Sequence, residues 1–114
     1  MRYLIIGLGI CGTNLAKDLT DMGNEVIGAD INATIVAAIK DYISTAYIID
    51  STDESAIGAL PLKSVDLVIV AIGEQFGASI KTVALLRKLG VRKIYARAID
   101  DLHSAILEGM HVER

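Results

Sequence analysis

Three glycines, spaced as Gly7-Leu8-Gly9-Ile10-Cys11-Gly12, follow directly on the apolar run Tyr3-Leu4-Ile5-Ile6 and precede a stretch of helical periodicity. A strand that must turn into a helix within a few residues needs a backbone conformation closed to most side chains, which Gly7 supplies. An anionic group can approach the backbone closely only where no Cβ intervenes, as at Gly9. A helix can lie tight against the strand it leaves only if the contact position is bare, as at Gly12. The pattern alone is weak, because the chain holds 10 glycines. Its context gives it weight: a strand before it, a helix after it, and Asp30 ending a second strand about 20 residues on. The free amides and the dipole of that helix N-terminus are expected to hold phosphates; the alternative is a tight turn that binds nothing.

Beyond the loop, β-rich runs alternate with amphipathic stretches along the chain. The patterning predicts strands over 2–6, 25–29, 45–49, 66–71 and 91–96, and helices over 10–22, 33–40, 53–59, 76–89 and 100–108. Gly23 and Gly90 stop two of the helices, Asn32 caps another, and the single proline, Pro61, falls in a loop. Strands separated by helices imply right-handed crossovers and a parallel sheet. The expected architecture is α/β: a Rossmann-type doubly wound sheet of about five strands in the order 3-2-1-4-5, with helices on both faces. Val112 onward reads as the opening of a sixth strand that the chain does not complete.

With 114 residues, the chain is read as one domain over 1–114. Hydrophobic residues make up 53% of it, as expected for strands buried on both faces. No apolar run nears the roughly 20 residues that span a bilayer. The N-terminal apolar stretch is short and meets the glycine loop, so it reads as a strand rather than a secretory signal. A net charge of −3 and the lack of tryptophan argue against nucleic acid as a partner. Cys11 is the only cysteine, which excludes an internal disulfide and a cysteine metal cluster and fits a reducing cytoplasm.

The acidic residue closing the second strand, Asp30, is expected to accept from the adenosine ribose hydroxyls and to repel a 2′-phosphate; the alternative is a capping role beside Asn32. Asp50, Ser51 and Thr52 follow the third strand at the edge where such sheets bind ligands. They offer a seat for adenine, or equally an ordinary turn and helix cap. Ala71-Ile72-Gly73 ends the fourth strand across the switch point from the first, and Glu74 follows, within reach of a ribose or simply solvated. Arg97, after the fifth strand, is the best-placed cation for a phosphate; the alternative is an ion pair with Asp100 or Asp101. Cys11 reads as a small packing residue, although a helix N-terminus can activate a thiol. His103 and His111 lack partners at metal-ligand spacing, and no nucleophile, base and orienting group assemble into a catalytic set.

Several segments together resemble successive motifs of the Trk/Ktr N-terminal domain, called KTN or RCK, the TrkA-N family. They are residues 5–12, 26–32, Asp50-Ser51-Thr52, 65–73, Ser79-Ile80, Leu89-Gly90-Val91, 94–98 and Ile106-Leu107-Glu108. The resemblance spans essentially the whole chain, and its fourth- and fifth-strand segments are more specific than the glycine loop. It implies a cytoplasmic regulatory domain of a bacterial potassium uptake system or channel, peripheral to the inner face of the membrane through its partner. Such domains bind NAD(H), ATP or ADP and pair into dimers that assemble in rings beneath a pore. Carried over by position, the contacts are Gly7, Gly9, Gly12, Asp30, Asp50, Ser51, Gly73 and Arg97, with Leu8, Ile10, Cys11, Ile31, Thr52, Ala71 and Ile72 completing the expected cofactor-binding set.

Two departures from the family pattern matter. Many relatives carry arginine where this chain has Ile10, and that arginine meets the terminal phosphates of ATP, so NAD(H) or ADP is the better expectation here. The family also usually continues into a further strand, a crossover helix and often a second ligand-binding subdomain, which this chain lacks. The leading expectation is a non-enzymatic ligand sensor coupled to a membrane potassium transporter. The alternatives are a fragment of an NAD-dependent oxidoreductase and a nucleotide-free assembly subunit. Self-association is expected through apolar residues such as Ile80, Val83 and Ile106 on the two C-terminal helices.

Overall fold

The computed structural model describes residues 1–112. Its elements run in strict alternation: β1 (Arg2–Ile6), α1 (Ile10–Asp21), β2 (Glu25–Asp30), α2 (Ala33–Ile39), β3 (Thr45–Ile48), α3 (Glu54–Gly58), β4 (Leu67–Val70), α4 (Phe76–Lys88), β5 (Ile94–Ala96) and α5 (Asp101–Gly109). The strands form one parallel sheet in the order β3-β2-β1-β4-β5, the Rossmann arrangement expected from the sequence. β1 lies at the centre, with Leu4 opposite Ile27 on one side and Val68 on the other.

Because β1 is covered on both faces, its side chains serve two cores in alternation. Leu4 and Ile6 pack with Ile57, Val83, Leu86 and Leu107, beneath α3, α4 and α5. Ile5 packs with Leu8, Ala16, Val36 and Ile39, beneath α1 and α2. Leu4 and Leu86 are completely buried, each worth roughly 1.5–3 kcal/mol of burial. Val83, expected to support self-association, is also completely buried, and Ile80 packs against the same core. The periodicity that marked α4 was that of an inward face. The large apolar residues left exposed lie elsewhere: Ile10, Ile31, Tyr95, Ile99 and Leu102 among them.

The element ends follow local chemistry. Gly23 and Gly90 take positive φ after α1 and α4, and each helix closes with paired bonds back to its last turn: Gly23 N–H to Thr20 and Asn24 N–H to Leu19, Gly90 N–H to Arg87 and Val91 N–H to Leu86. α5 closes the same way on His111, a non-glycine residue at φ 61°. β2 runs one residue beyond its expected end, because Asp30 still pairs with Ile48. β5 starts at Ile94 rather than at 91. The carbonyls of Val91 and Arg92 are taken by the Arg87 guanidinium, at 2.9 and 2.5 Å, which holds this stretch against α4. Apart from Val112, which is not in a strand, the expected sixth strand lies outside the described residues.

Candidate functional site

β1 and β4 are neighbours whose connections leave in opposite directions, so a crevice opens beyond their carboxyl ends. Gly7 turns the chain out of β1 at φ 98°, and its N–H donates to the Ala29 carbonyl at 2.8 Å. A Cβ there would stand 3.0 Å from the Ala71 backbone, and one on Gly12 would stand 1.8 Å from the Gly7 carbonyl oxygen. The first glycine is thus fixed by its dihedral, and the last by the tightness of α1 against the loop. Gly9 is the N-cap of α1, and a Cβ there would meet nothing within 4 Å. Leu8 between them turns inward and is buried in the α1–α2 core.

Asp30 ties the loop to β2. One carboxylate oxygen accepts the Leu8 N–H at 2.7 Å and the other accepts the Asn32 N–H at 2.8 Å. Capping of α2 falls to Asn32 alone, whose side chain accepts from Thr34 and Ile35. Each carboxylate oxygen carries a second lone pair, so the clamp leaves Asp30 capacity to accept from a ligand hydroxyl.

Beyond the end of β3, Asp50 is engaged locally and Ser51 across to α4. Asp50 Oδ1 accepts from the Thr52 N–H at 2.9 Å and from the Thr52 hydroxyl at 2.6 Å, the turn that was one of its two readings. These two bonds, with a smaller contribution from the charge of Lys81, hold the Asp50 carboxyl below its ordinary range. The Ser51 hydroxyl lies 2.8 Å from that of Thr82, which is fully buried on α4, and so joins the β3 end to that helix.

On the far side of the crevice, Arg97 follows β5 with its backbone N–H on Val70. Its guanidinium lies over Gly73: a Cβ on that glycine would be 2.2 Å from Arg97 Nη1. The bare position lets the arginine reach back across the end of β4. Among the described residues, the guanidinium makes no ion pair with Asp100 or Asp101; Asp100 caps α5 instead, accepting the His103 N–H at 2.8 Å.

These parts enclose an open cavity of about 1240 Å³. Every expected site residue lines it except Leu8 and Gly12, which shape the loop from beneath. Asp30 and Asp50 stand on the β2–β3 side, and Arg97 and Lys81 on the side formed by β5 and α4, where Glu74 is the one carboxylate in the lining among the described residues. Ile10 is 87% exposed on the rim. Cys11 is exposed too, so its expected packing role is not realised: α1 turns Gly12 and Ala16 inward instead. Glu74 lines the wall beside Gln75 at the start of α4. Lys81 gave no signal in the sequence. It is one lysine on an amphipathic helix, and it meets the cavity beside the Ser51–Thr82 contact, which joins the β3 end to α4.

The helix termini divide into two groups. α2, α3 and α5 are capped by the side chains of Asn32, Asp53 and Asp100. α1 and α4 begin at Gly9 and Gln75 with no side-chain cap, and both of these residues line the cavity. The orphan amides of two helices, with their dipoles, therefore converge on one space beside Arg97, which is an electrostatic arrangement suited to an anion. Among the described residues, no cluster of His, Cys, Asp and Glu could hold a metal ion, and no helix is long and apolar enough to cross a membrane.

The family model of the TrkA-N domain matches residues 3–114. The chain belongs to the TrkA-N family. It is 43% identical over 106 residues to Ktr system potassium uptake protein C of Bacillus subtilis (strain 168), covering 93% of this chain and 48% of that protein. It is 35% identical over 113 residues to Ktr system potassium uptake protein A of the same organism, covering 99% of this chain and 51% of that one. The chain thus spans about half the length of these curated relatives. Among solved structures, the NAD(P)-binding domain of an exopolyphosphatase-related protein from Archaeoglobus fulgidus superposes with a TM-score of 0.87 at 25% identity, covering 97% of this chain and 83% of that one.

Proposed function

We propose that this TrkA-N chain is a nucleotide-sensing regulatory domain of a potassium uptake system, with NAD(H) as its preferred ligand and ADP or ATP as alternatives. The observation that carries this reading is the convergence of the two uncapped helix N-termini on a cavity that also holds Asp30 and Arg97. A dinucleotide presents the matching chemistry. Its diphosphate meets the α1 and α4 amides and the Arg97 guanidinium, its adenosine ribose meets Asp30, and its adenine lies toward Asp50, Ser51 and Thr52. Gly7, Gly9, Ile10, Cys11, Ile31, Ala71, Ile72 and Gly73 supply the remaining walls. Ile10 offers no charge to a terminal phosphate, which places ATP below NAD(H).

The reading is regulatory rather than enzymatic. Among the described residues, neither histidine lines the cavity and no nucleophile is paired with a base around it, which supports a ligand that is bound and not transformed. The partner we assign is the membrane subunit of a potassium transporter, met at the cytoplasmic face of the membrane. Kinship with Ktr uptake proteins supports it. A second copy of the chain is assigned as the other half of a dimer. Regulation then requires the ligand to bind two arrangements of that dimer unequally, since tight binding alone shifts nothing.

Thermal melting with NADH, NAD, ADP and ATP tests the reading. Ligand at a hundredfold excess over its Kd adds about 2.7 kcal/mol to stability. A rise of the melting temperature by several degrees is therefore expected, largest for NAD(H) at matched concentration. No rise with any of the four overturns the sensing reading and favours a nucleotide-free assembly subunit.

A further inference from the structure

Behind the wall that Arg97 and Ile99 contribute to the cavity lies a buried polar cluster that nucleotide binding, as described so far, does not use. Ser79 on α4 and His103 on α5 are both fully buried. Ser79 Oγ lies 3.1 Å from His103 Nε2, and His103 Nδ1 accepts the backbone N–H of Ile99 at 3.1 Å. A nitrogen that accepts a backbone N–H carries no proton. The neutral ring is therefore protonated on Nε2 and donates to the Ser79 hydroxyl. The ring also lies against Phe76, with centroids 4.9 Å apart.

One imidazole thus joins the first turn of α4, through Phe76 and Ser79, to the segment between β5 and α5, through Ile99. Both carry cavity walls: Gly77 and Ala78 on α4 with its N-cap Gln75, and Arg97 and Ile99 on the segment. The guanidinium and the uncapped α4 amides can address a single anion only if these walls keep a fixed separation. Groups that bind as a constellation are held by the partners behind them.

We infer that His103 is a positioning residue of the nucleotide site, acting through Ile99 to hold Arg97 in register with the α4 N-terminus. The inference rests on the reading that the cavity binds a phosphate-bearing nucleotide. It goes further in assigning a function to a residue that touches no ligand. It also makes α5 the element that follows occupancy of the phosphate region, because the same ring is rooted on that helix. A histidine that merely filled the core would have the same burial, but would support phosphate-bearing and phosphate-free ligands equally.

The test is calorimetric titration of the chain with ADP and with adenosine, for His103→Leu, His103→Asn, Ser79→Ala, Arg97→Ala and the His103→Leu/Arg97→Ala double variant. Asparagine places its amide oxygen near the position of Nδ1 and so keeps the bond to Ile99. His103→Leu is expected to weaken ADP about tenfold while leaving adenosine within about twofold, and His103→Asn to restore most of the loss. In the Arg97→Ala background, His103→Leu is expected to cost little more, because the two residues act as a unit. Equal losses for both ligands, no loss for ADP, or full additivity with Arg97→Ala overturns the inference. Failure of the unmodified chain to bind ADP or NADH overturns instead the nucleotide reading on which it rests. Should His103→Leu not fold, Ser79→Ala carries the same selective pattern at smaller size. Long-range nitrogen–proton NMR of the unmodified chain supplies an independent readout: a proton on Nε2 is expected, and a proton on Nδ1 contradicts the geometry.

Discussion

Asp30 illustrates how one side chain can be structural and still face an open cavity. Its carboxylate fastens the glycine loop through Leu8 and steadies the turn into α2 through Asn32, while its position at the end of β2 presents it to the cavity. Asp30→Ala removes both tasks. It is expected to lower stability by about 1–3 kcal/mol, as for hydrogen bonds to a charged group, and to weaken adenosine-containing ligands at least tenfold. Urea denaturation and calorimetry read the two effects separately. Unchanged ligand affinity in a folded variant counts against the ribose role. Asp50 yields a pH prediction. Its carboxyl is held below the ordinary range chiefly by the Thr52 hydroxyl, then by the Thr52 N–H, so the ionised form is favoured in the folded state. The linked stability is present above the unfolded carboxyl range, near pH 4, and is lost as pH falls through the lower folded value. Thr52→Val should move the Asp50 titration, followed by carbon NMR, back toward the ordinary value. A titration that does not move shows that the hydroxyl is not the cause.

At the level of the elements, most of the fold was legible in the sequence, and the reasons are local. β1 was readable because an apolar run abuts Gly7, and α1 and α4 because glycine ends each of them. β5 was overestimated because Val91 looks like strand in any window. Its backbone carbonyl is claimed by Arg87, four residues earlier in the chain but on a different element, and no periodicity reports that. Arg87 also donates to the carbonyls of Met110, at 3.1 Å, and His111, so one guanidinium rooted in the last turn of α4 ties the C-terminal end of α5 to the turn before β5. Arg87→Lys keeps the charge but not the planar fork. It is expected to lose about 1–3 kcal/mol in denaturant unfolding, close to the loss for Arg87→Ala, whereas full rescue by lysine would show that charge alone suffices. The lining of the candidate site was legible as a set of loop and strand-end residues. It was not legible where membership depends on tertiary contact: Lys81 enters from a helix face, and Leu8 and Gly12 were expected at the ligand but support the loop from below.

Besides the crevice at the carboxyl ends of the strands, whose rim carries the exposed Ile10 and Ile31, the described residues expose apolar side chains around β5 and α5. Leu102 is 66% exposed, with Ile99 and Tyr95 also exposed, whereas Val83 is spent on the domain's own core. Self-association is therefore expected through the β5–α5 region. Sedimentation at increasing concentration should show a dimer that Leu102→Glu disperses; a monomer at all concentrations removes the dimer from the account. Ligand exchange would reach that surface through the segment shared by Arg97, Ile99 and His103, which joins the cavity wall to α5.

On the reading proposed above, the cavity at the ends of β1, β2 and β4 takes a dinucleotide that lacks a 2′-phosphate, held by uncapped helix amides and selected by Asp30. Calorimetric titration of the chain with NADH and with NADPH tests it most directly. Saturable binding of one NADH per chain is predicted, with NADPH at least tenfold weaker, because its 2′-phosphate meets the Asp30 carboxylate. No saturable binding of NADH, or NADPH bound as tightly as NADH, would contradict it.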